Sequence, residues 1–320
     1  MNYSSSAAAD LSAPKHQPWQ LGLAGALLLL ALFTTTTLGA IWSVATQTDD
    51  TTDLGMWMGF ESIRTVWSDP GMLAAGLSFS IPLLLILLCH ELGHYLPCRW
   101  YRLPTTPPYF LPVPFGLGTL GAFIKIRRPI RNRRELLIVG AGGPLAGFAV
   151  LIPFLLVGIA LSEPASYQPA PAEAAGALLF VPGQSLACQL VTWAFHGPLP
   201  ENTVLNLHPF ALAAWVGLLA TSLNLLPLAQ LDGGHILYAL AGRLQHKLAL
   251  PLWVALALCG TFWFGWLLWC LIVVVIGLRH PPVQDETLRL EPGHRKIGWL
   301  CLLILVLSFM PIPLDLIPVR

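Results

Sequence analysis

The run Ile81-Pro82-Leu83-Leu84-Leu85-Ile86-Leu87-Leu88-Cys89-His90-Glu91-Leu92-Gly93-His94 joins a featureless apolar stretch to three ionisable side chains. From Met72 to Leu96 the chain is apolar enough, and long enough, to cross a bilayer core as a helix, which takes about 20 residues. On a helix, residues four apart share a face, so His90 and His94 can present two imidazoles to one point. Glu91 lies next to that face. Ionisable groups at membrane depth are costly and generally mark function. The plainer alternative is that all three are interfacial residues capping the helix.

The rest of the chain points to the same solvent. Of its 320 residues, 55% are hydrophobic and 10% charged, against about 25% charged in a soluble domain. Its net charge of +1 gives no global basic field of the kind that attracts nucleic acid. Further apolar runs extend over Leu21 to Ala45, Leu136 to Leu161 and Phe210 to Leu231. Leu248 to Leu278 is too long for one span, and Gly260 near its middle predicts two helices folded as a hairpin. Ile297 to Pro313 is a last, short candidate. Ala175 to Phe195 is broken by Pro182, Gly183, Gln184 and Gln189, and reads as a re-entrant or surface-lying piece. The expected fold is an all-α multi-pass membrane protein of about six to seven transmembrane helices with a small membrane-associated β-hairpin. Its segments are a polar cytoplasmic N-terminus (1–20), a first helix with an external loop (21–71), a core that carries the ionisable cluster (72–247) and C-terminal helices (248–320).

Charge in the short loops predicts orientation. Pro97 to Glu135 carries Arg99, Arg102, Lys125, Arg127, Arg128, Arg131, Arg133 and Arg134, whereas Ser162 to Pro209 has no Lys or Arg. Thr46 to Pro70 sets five acidic residues against Arg64. Basic loops are therefore expected on the cytoplasmic side. Ser43-Val44-Ala45 resembles a cleavage site, but the long polar lead carries only Lys15, so the first apolar run reads as a retained helix. The six cysteines form no CxxC pair and read as small apolar residues, not as a disulfide framework.

Catalytic zinc takes three protein ligands and keeps a fourth position open. Asp232 is a candidate third ligand, because it comes after a run from Phe210 to Leu231 that lacks any charge. Pro227 can open the helix ahead of it, and Gly233-Gly234 lets the backbone turn closely. An acidic residue ending a helix is also ordinary by itself.

Two motifs, His90-Glu91-x-x-His94 and Asn224-x-x-Pro227-x-x-x-Leu231-Asp232-Gly233, together resemble the site-2 protease family of intramembrane zinc metalloproteases. The resemblance runs from about Met72 to Lys247. Pro114 to Phe123 is similar to the family's Gly-rich membrane-dipping hairpin. Asn132 to Leu136 and Gly140 to Gly147 are similar to the segment C-terminal to that hairpin in the family. Leu225 stands where the family commonly has proline. The resemblance implies one Zn2+ held by His90, His94 and Asp232, Glu91 as general base and Asn224 at the scissile carbonyl.

A helical peptide hides its carbonyls, so a substrate must be extended locally, and an exposed strand edge can capture it. Gly116, Gly118, Gly121 and Phe123 are the candidate substrate-binding residues, the alternative being a simple interfacial loop. The expected substrate is a single-span membrane protein or a remnant signal peptide, in contact with membrane lipids and with no nucleic acid. The expected location is a bacterial inner or plasma membrane, with the site near the cytoplasmic side. A zinc transporter and a catalytically inactive scaffold are the competing readings. A transporter would spread polar sites along several spans, and a scaffold has no need of Glu91. His235 reads as packing or as support for the site, and Arg127 to Arg134 as an anchor at anionic headgroups.

Overall fold

The computed structural model describes residues 16–45, 59–169, 177–228, 230–288 and 290–319. The polar lead before residue 16, the acidic residues Asp49, Asp50 and Asp53, and residues 175 and 176 of the interrupted run lie outside these.

Among the described residues, three helices are long and apolar enough to cross a membrane: α1 (Pro18–Ala45), α3 (Pro70–Trp100) and α4 (Arg133–Ala160). A short helix, α2 (Phe60–Ser68), precedes α3. The Asp69 carboxylate caps α3 by accepting from the N–H groups of Gly71 and Met72, and Pro70 fills the first helical position, where an N–H has no partner to lose. Asn132 caps α4, accepting from the Glu135 N–H at 2.9 Å, while the Glu135 carboxylate reaches back to the Arg131 N–H at 3.4 Å. These caps explain why the helices begin a few residues before the apolar runs do.

Between α3 and α4 lies a β-hairpin of β1 (Tyr109–Pro112) and β2 (Thr119–Phe123), paired antiparallel with Tyr109 opposite Phe123. Then come β3 (Glu163–Ser166), β4 (Ala177–Pro182), α5 (Leu186–His196), β5 (Thr203–Asn206) and α6 (Pro209–Leu225). The chain continues through α7 (Asp232–Ala241), α8 (Leu244–Cys259), α9 (Gly265–Ile276), α10 (Pro292–Ser308) and β6 (Leu314–Val319). The break between α8 and α9 falls at Gly260, where the hairpin was expected.

The central layer is α3, α4 and α6, whose inward faces meet through Phe79, Leu83 and Ile86, Leu151 and Leu155, and Leu212 and Leu218. In lipid, apolar contact alone does not drive helices together, so close approach and interhelical hydrogen bonds carry more of the association. Both are present. Gly93 and Gly142 let the backbones of α3 and α4 touch, since a Cβ on either would overlap the backbone of the other helix. The Thr36 and Ser80 hydroxyls bond at 2.8 Å between α1 and α3, a contact worth about 1 kcal/mol. Ile81 and Leu85 of α3 and Leu271 and Val275 of α9 are exposed, as side chains facing lipid would be.

One expectation needs correction, and another is met in part. The fold is mostly helical but not all-α: besides the hairpin, β3 pairs with β5 and β4 with β6, both antiparallel. These strands pair across long stretches of chain, and neither partner carries a local signal strong enough to show it. Of the six to seven expected spans, three helices among the described residues reach spanning length. The expected span Phe210 to Leu231 stops at Leu225, and a 17-residue helix rises only about 26 Å against a core of about 30 Å. The stop has a local cause. Leu226 precedes Pro227 and adopts φ −53°, ψ 128°, the extended conformation that proline imposes on its predecessor. Leu186–His196, at 11 residues, is likewise too short to cross.

Candidate metal centre and catalytic cavity

His90, Glu91 and His94 sit on two successive turns of α3, and all three are buried. Asp232 opens α7, a few residues past the break that ends α6. The break is what aims it. After Leu226 the chain turns tightly, with the Leu228 N–H on the Leu226 carbonyl at 2.7 Å and the Leu231 N–H on the Leu228 carbonyl at 3.2 Å. Gly233 then passes so close to the Leu225 carbonyl that no Cβ would fit. The Asp232 carboxylate is thereby carried onto the histidine face of α3.

The Nε2 atoms of His90 and His94 lie 3.2 Å apart, and Asp232 Oδ2 is 3.2 Å from each. Tetrahedral zinc bound at about 2.1 Å separates neighbouring donors by about 3.4 Å. Two imidazole nitrogens and one carboxylate oxygen at this spacing fit such an ion in donor type and in geometry. The His94 tautomer agrees. Its Nδ1–H donates to the Val139 carbonyl at 2.6 Å, which frees the Nε2 lone pair for a metal and fixes the ring plane.

α4 makes room for these rings. A Cβ at Gly143 would overlap the His94 imidazole, and one at Gly147 would press on His90. Four residues apart on one face of α4, Gly143 and Gly147 thus shape the histidine pocket.

A cavity of about 230 Å³ opens beside the three donors, lined by Glu91, Phe123, Ile124, Asn224 and Gln230 among others. Glu91 on α3 and Phe123 and Ile124 at the end of the hairpin thus border one and the same cavity. The Asn224 Nδ2 reaches 3.4 Å from His90 Nε2, on the last turn of α6. Of the four residues singled out for substrate binding, Phe123 lines the cavity. Gly116 and Gly118 lie at the hairpin tip instead. Both adopt positive φ there, and their carbonyls accept from the Trp42 indole at 3.0 Å and the Thr34 hydroxyl at 2.7 Å, docking the hairpin on α1. Gly121, also at positive φ, sits within β2 with open space around it.

Sequence reading leaves His280 without a role, and no local pattern marks it. Its Nδ1 faces the Pro281 carbonyl at 2.5 Å. A carbonyl only accepts, so Nδ1 carries the proton and Nε2 accepts from His235 Nδ1–H at 2.6 Å. His235, which lines the cavity, is thus left with Nε2 as an acceptor. The segment around His280 is strapped onto α7: the His280 ring stacks on Tyr238, and the Tyr238 hydroxyl donates to Glu286 at 2.9 Å.

Burial holds the His280 imidazole neutral, lowering its pKa from 6.5 to about 4. A group with a depressed folded pKa supports stability fully above its unfolded value and loses that support as pH falls toward the folded one. Amide exchange over residues 279–288 should therefore accelerate below about pH 5, and His280→Gln should remove that acceleration.

The sequence profile of peptidase family M50 matches residues 78–260. The probable zinc metalloprotease EGY2, chloroplastic, of Oryza sativa subsp. indica is 32% identical over 244 residues, covering 73% of this chain and 42% of that protein. Its counterpart of the same name in Arabidopsis thaliana is 28% identical over 252 residues, covering 76% and 43%. The probable zinc metalloprotease EGY1, chloroplastic, of Arabidopsis thaliana is 30% identical over 251 residues, covering 74% and 43%. The chain thus spans less than half the length of these relatives. No solved structure matches it.

Proposed function

The chain belongs to peptidase family M50, and from that premise we propose that it is an intramembrane zinc metalloendopeptidase, hydrolysing a peptide bond in or near a transmembrane segment of another membrane protein. The observation that carries this reading is the convergence of His90, His94 and Asp232 within 4.8 Å, with Glu91 buried beside them. His90, His94 and Asp232 would hold the ion. When bound, zinc supplies acidification of a water toward a pKa of about 7 and polarisation of the scissile carbonyl.

The chain's own residues would do the rest. Glu91 accepts the proton of the attacking water and returns it to the leaving amine. Its burial keeps bulk water from competing for that proton. Asn224 donates its amide N–H toward the oxygen of the tetrahedral carbon, a contact commonly worth about 3 kcal/mol. Asn224→Ala should accordingly lower kcat about a hundredfold while leaving zinc stoichiometry intact, read by steady-state kinetics alongside metal analysis.

β2 is the natural place for the extended substrate. It pairs only with β1 among the described residues, so its other edge, bordering the catalytic cavity through Phe123 and Ile124, can accept a peptide strand. The substrate would be a single-span membrane protein or a remnant signal peptide. The short helices α6, α8 and α9 would complete the membrane domain beside the three long ones. The basic loop from Arg99 to Arg134 favours the cytoplasmic face for the site. The relatives matched are chloroplastic plant proteins, so a bacterial membrane finds no support in them.

The test is cleavage of a panel of single-span peptides by the purified chain, before and after zinc removal. We expect cleavage that a chelator abolishes and that stoichiometric zinc restores. Zinc-loaded protein that transports zinc across vesicles, and cleaves nothing, would replace this reading with the transporter.

A further inference from the structure

Beyond Phe123 the chain keeps the alternation of a strand although β2 has ended. Ile124 and Ile126 pack inward against Cys98, Leu103 and Val139, while Phe123, Lys125 and Arg127 are exposed, as is the next residue, Arg128. One side of this segment is fixed. The Thr106 N–H donates to the Lys125 carbonyl at 3.1 Å, and the Arg127 N–H to the Pro104 carbonyl at 2.8 Å. The backbone groups of Ile124 and Ile126 therefore point to the opposite edge, because successive residues of a strand alternate the direction of their N–H and C=O.

That opposite edge borders a second cavity, of about 750 Å³, which shares Phe123, Ile124, Ile126, Gln230 and His235 with the catalytic one. Lys125, Arg127 and Arg128 line one wall, and the strap from His280 to Val283 the other. The strap is held in place by the Asp285 N–H on the Arg131 carbonyl at 2.7 Å and by the His235–His280 bond. Among the described residues no carboxylate lies within ion-pair distance of Lys125, Arg127 or Arg128; Glu286 faces Arg243 and Tyr238 instead. Three exposed cations, with no acidic partner among the described residues, thus border a groove that leads straight from the candidate catalytic residues.

We propose that this groove is a subsite for an acidic, extended stretch of the substrate flanking the cleaved segment, with Lys125, Arg127 and Arg128 as its specificity-determining residues. A peptide added along the edge of β2 and running on past Ile126 would pass into this groove. Its alternate side chains would come level with the exposed cations, while its apolar positions meet Val283 and Ile130. Acidic flanks fit and basic flanks are repelled, so the groove would select among substrates whose membrane segments are alike. The inference rests on the proteolytic reading for its claim that the bound peptide is a substrate.

The test measures binding in a Glu91→Gln background, with the full chain in uncharged maltoside detergent. Labelled single-span peptides would carry a Glu-Glu-Glu, Gln-Gln-Gln or Lys-Lys-Lys flank. The Glu flank should bind about tenfold tighter than the Gln flank, the sum of a few exposed ion pairs, and added salt should narrow the gap. Replacing Lys125, Arg127 and Arg128 together by Gln should bring the ratio near one. Replacing them by Glu should reverse the preference toward the Lys flank, an outcome that a misfolded variant cannot give. Equal binding of all flanks by the unsubstituted groove would overturn the proposal, as would a preference that survives the Gln variant. If the substitutions alter only association with vesicles containing phosphatidylglycerol, the cations are lipid anchors and the proposal fails. Cleavage of the same peptides by the wild type separates the two readings: acidic preference in binding without cleavage sinks the protease and leaves the groove, whereas cleavage indifferent to flank does the reverse.

Discussion

Glu91→Gln should reduce peptide hydrolysis by about a thousandfold to ten-thousandfold while the protein still binds one equivalent of zinc. The size reflects the contribution of general acid–base catalysis, which is lost with the proton carrier. Retention of zinc is a matter of geometry. The three clustered donors belong to His90, His94 and Asp232, and Glu91 is not among them. Gln is close to isosteric and keeps the shape of the cavity that Glu91 lines with Phe123 and Ile124. It cannot take a proton. The informative measurement is therefore single-turnover cleavage paired with zinc analysis on the same sample. A variant that retains zinc and cleaves at the wild-type rate would remove Glu91 from the mechanism. A variant that loses zinc would show that the carboxylate helps to hold the ion, which its position outside the donor cluster does not predict.

The same donors show how much could be read from the sequence. His90 and His94 were legible because their relation is local: four residues on one helix fix both their spacing and their face. Asp232 was legible because a lone carboxylate after an uncharged run stands out in a membrane chain. The turn that delivers it was only half legible. Pro227 announced a break, but the run to Leu231 read as one continuous helix, and only the extended Leu226 shows where the helix stops. Contacts between distant segments left no such trace. The pairing of β4 with β6 joins segments well over a hundred residues apart, and His280 meets His235 across 45 positions. The hairpin glycines show a different limit. Positive φ at Gly116 and Gly118 accounts for their residue type, but a glycine does not say what its carbonyl touches, and here both carbonyls dock on α1.

Gly143→Val should abolish zinc binding and cleavage although the residue contributes no ligand and no catalytic group. A Cβ at this position would occupy the space of the His94 imidazole. α4 could make room only by moving off α3 and giving up the backbone contact at Gly93 and Gly142. The ring must otherwise turn, and turning breaks the bond from His94 Nδ1 to the Val139 carbonyl that orients Nε2 toward Asp232. Loss of that orienting bond alone typically costs about ten- to a hundredfold in metal affinity, and displacement of the donor adds to it. Gly143→Ala should give a milder form of the same defect, with zinc bound weakly and activity partly restored at high zinc. Gly142→Ala is the control, since it strikes the backbone contact between the helices and should lower thermal stability in the presence or absence of zinc. If Gly143→Val binds zinc as tightly as the wild type and merely unfolds sooner, the glycine is there for helix packing alone, and the pocket does not depend on it.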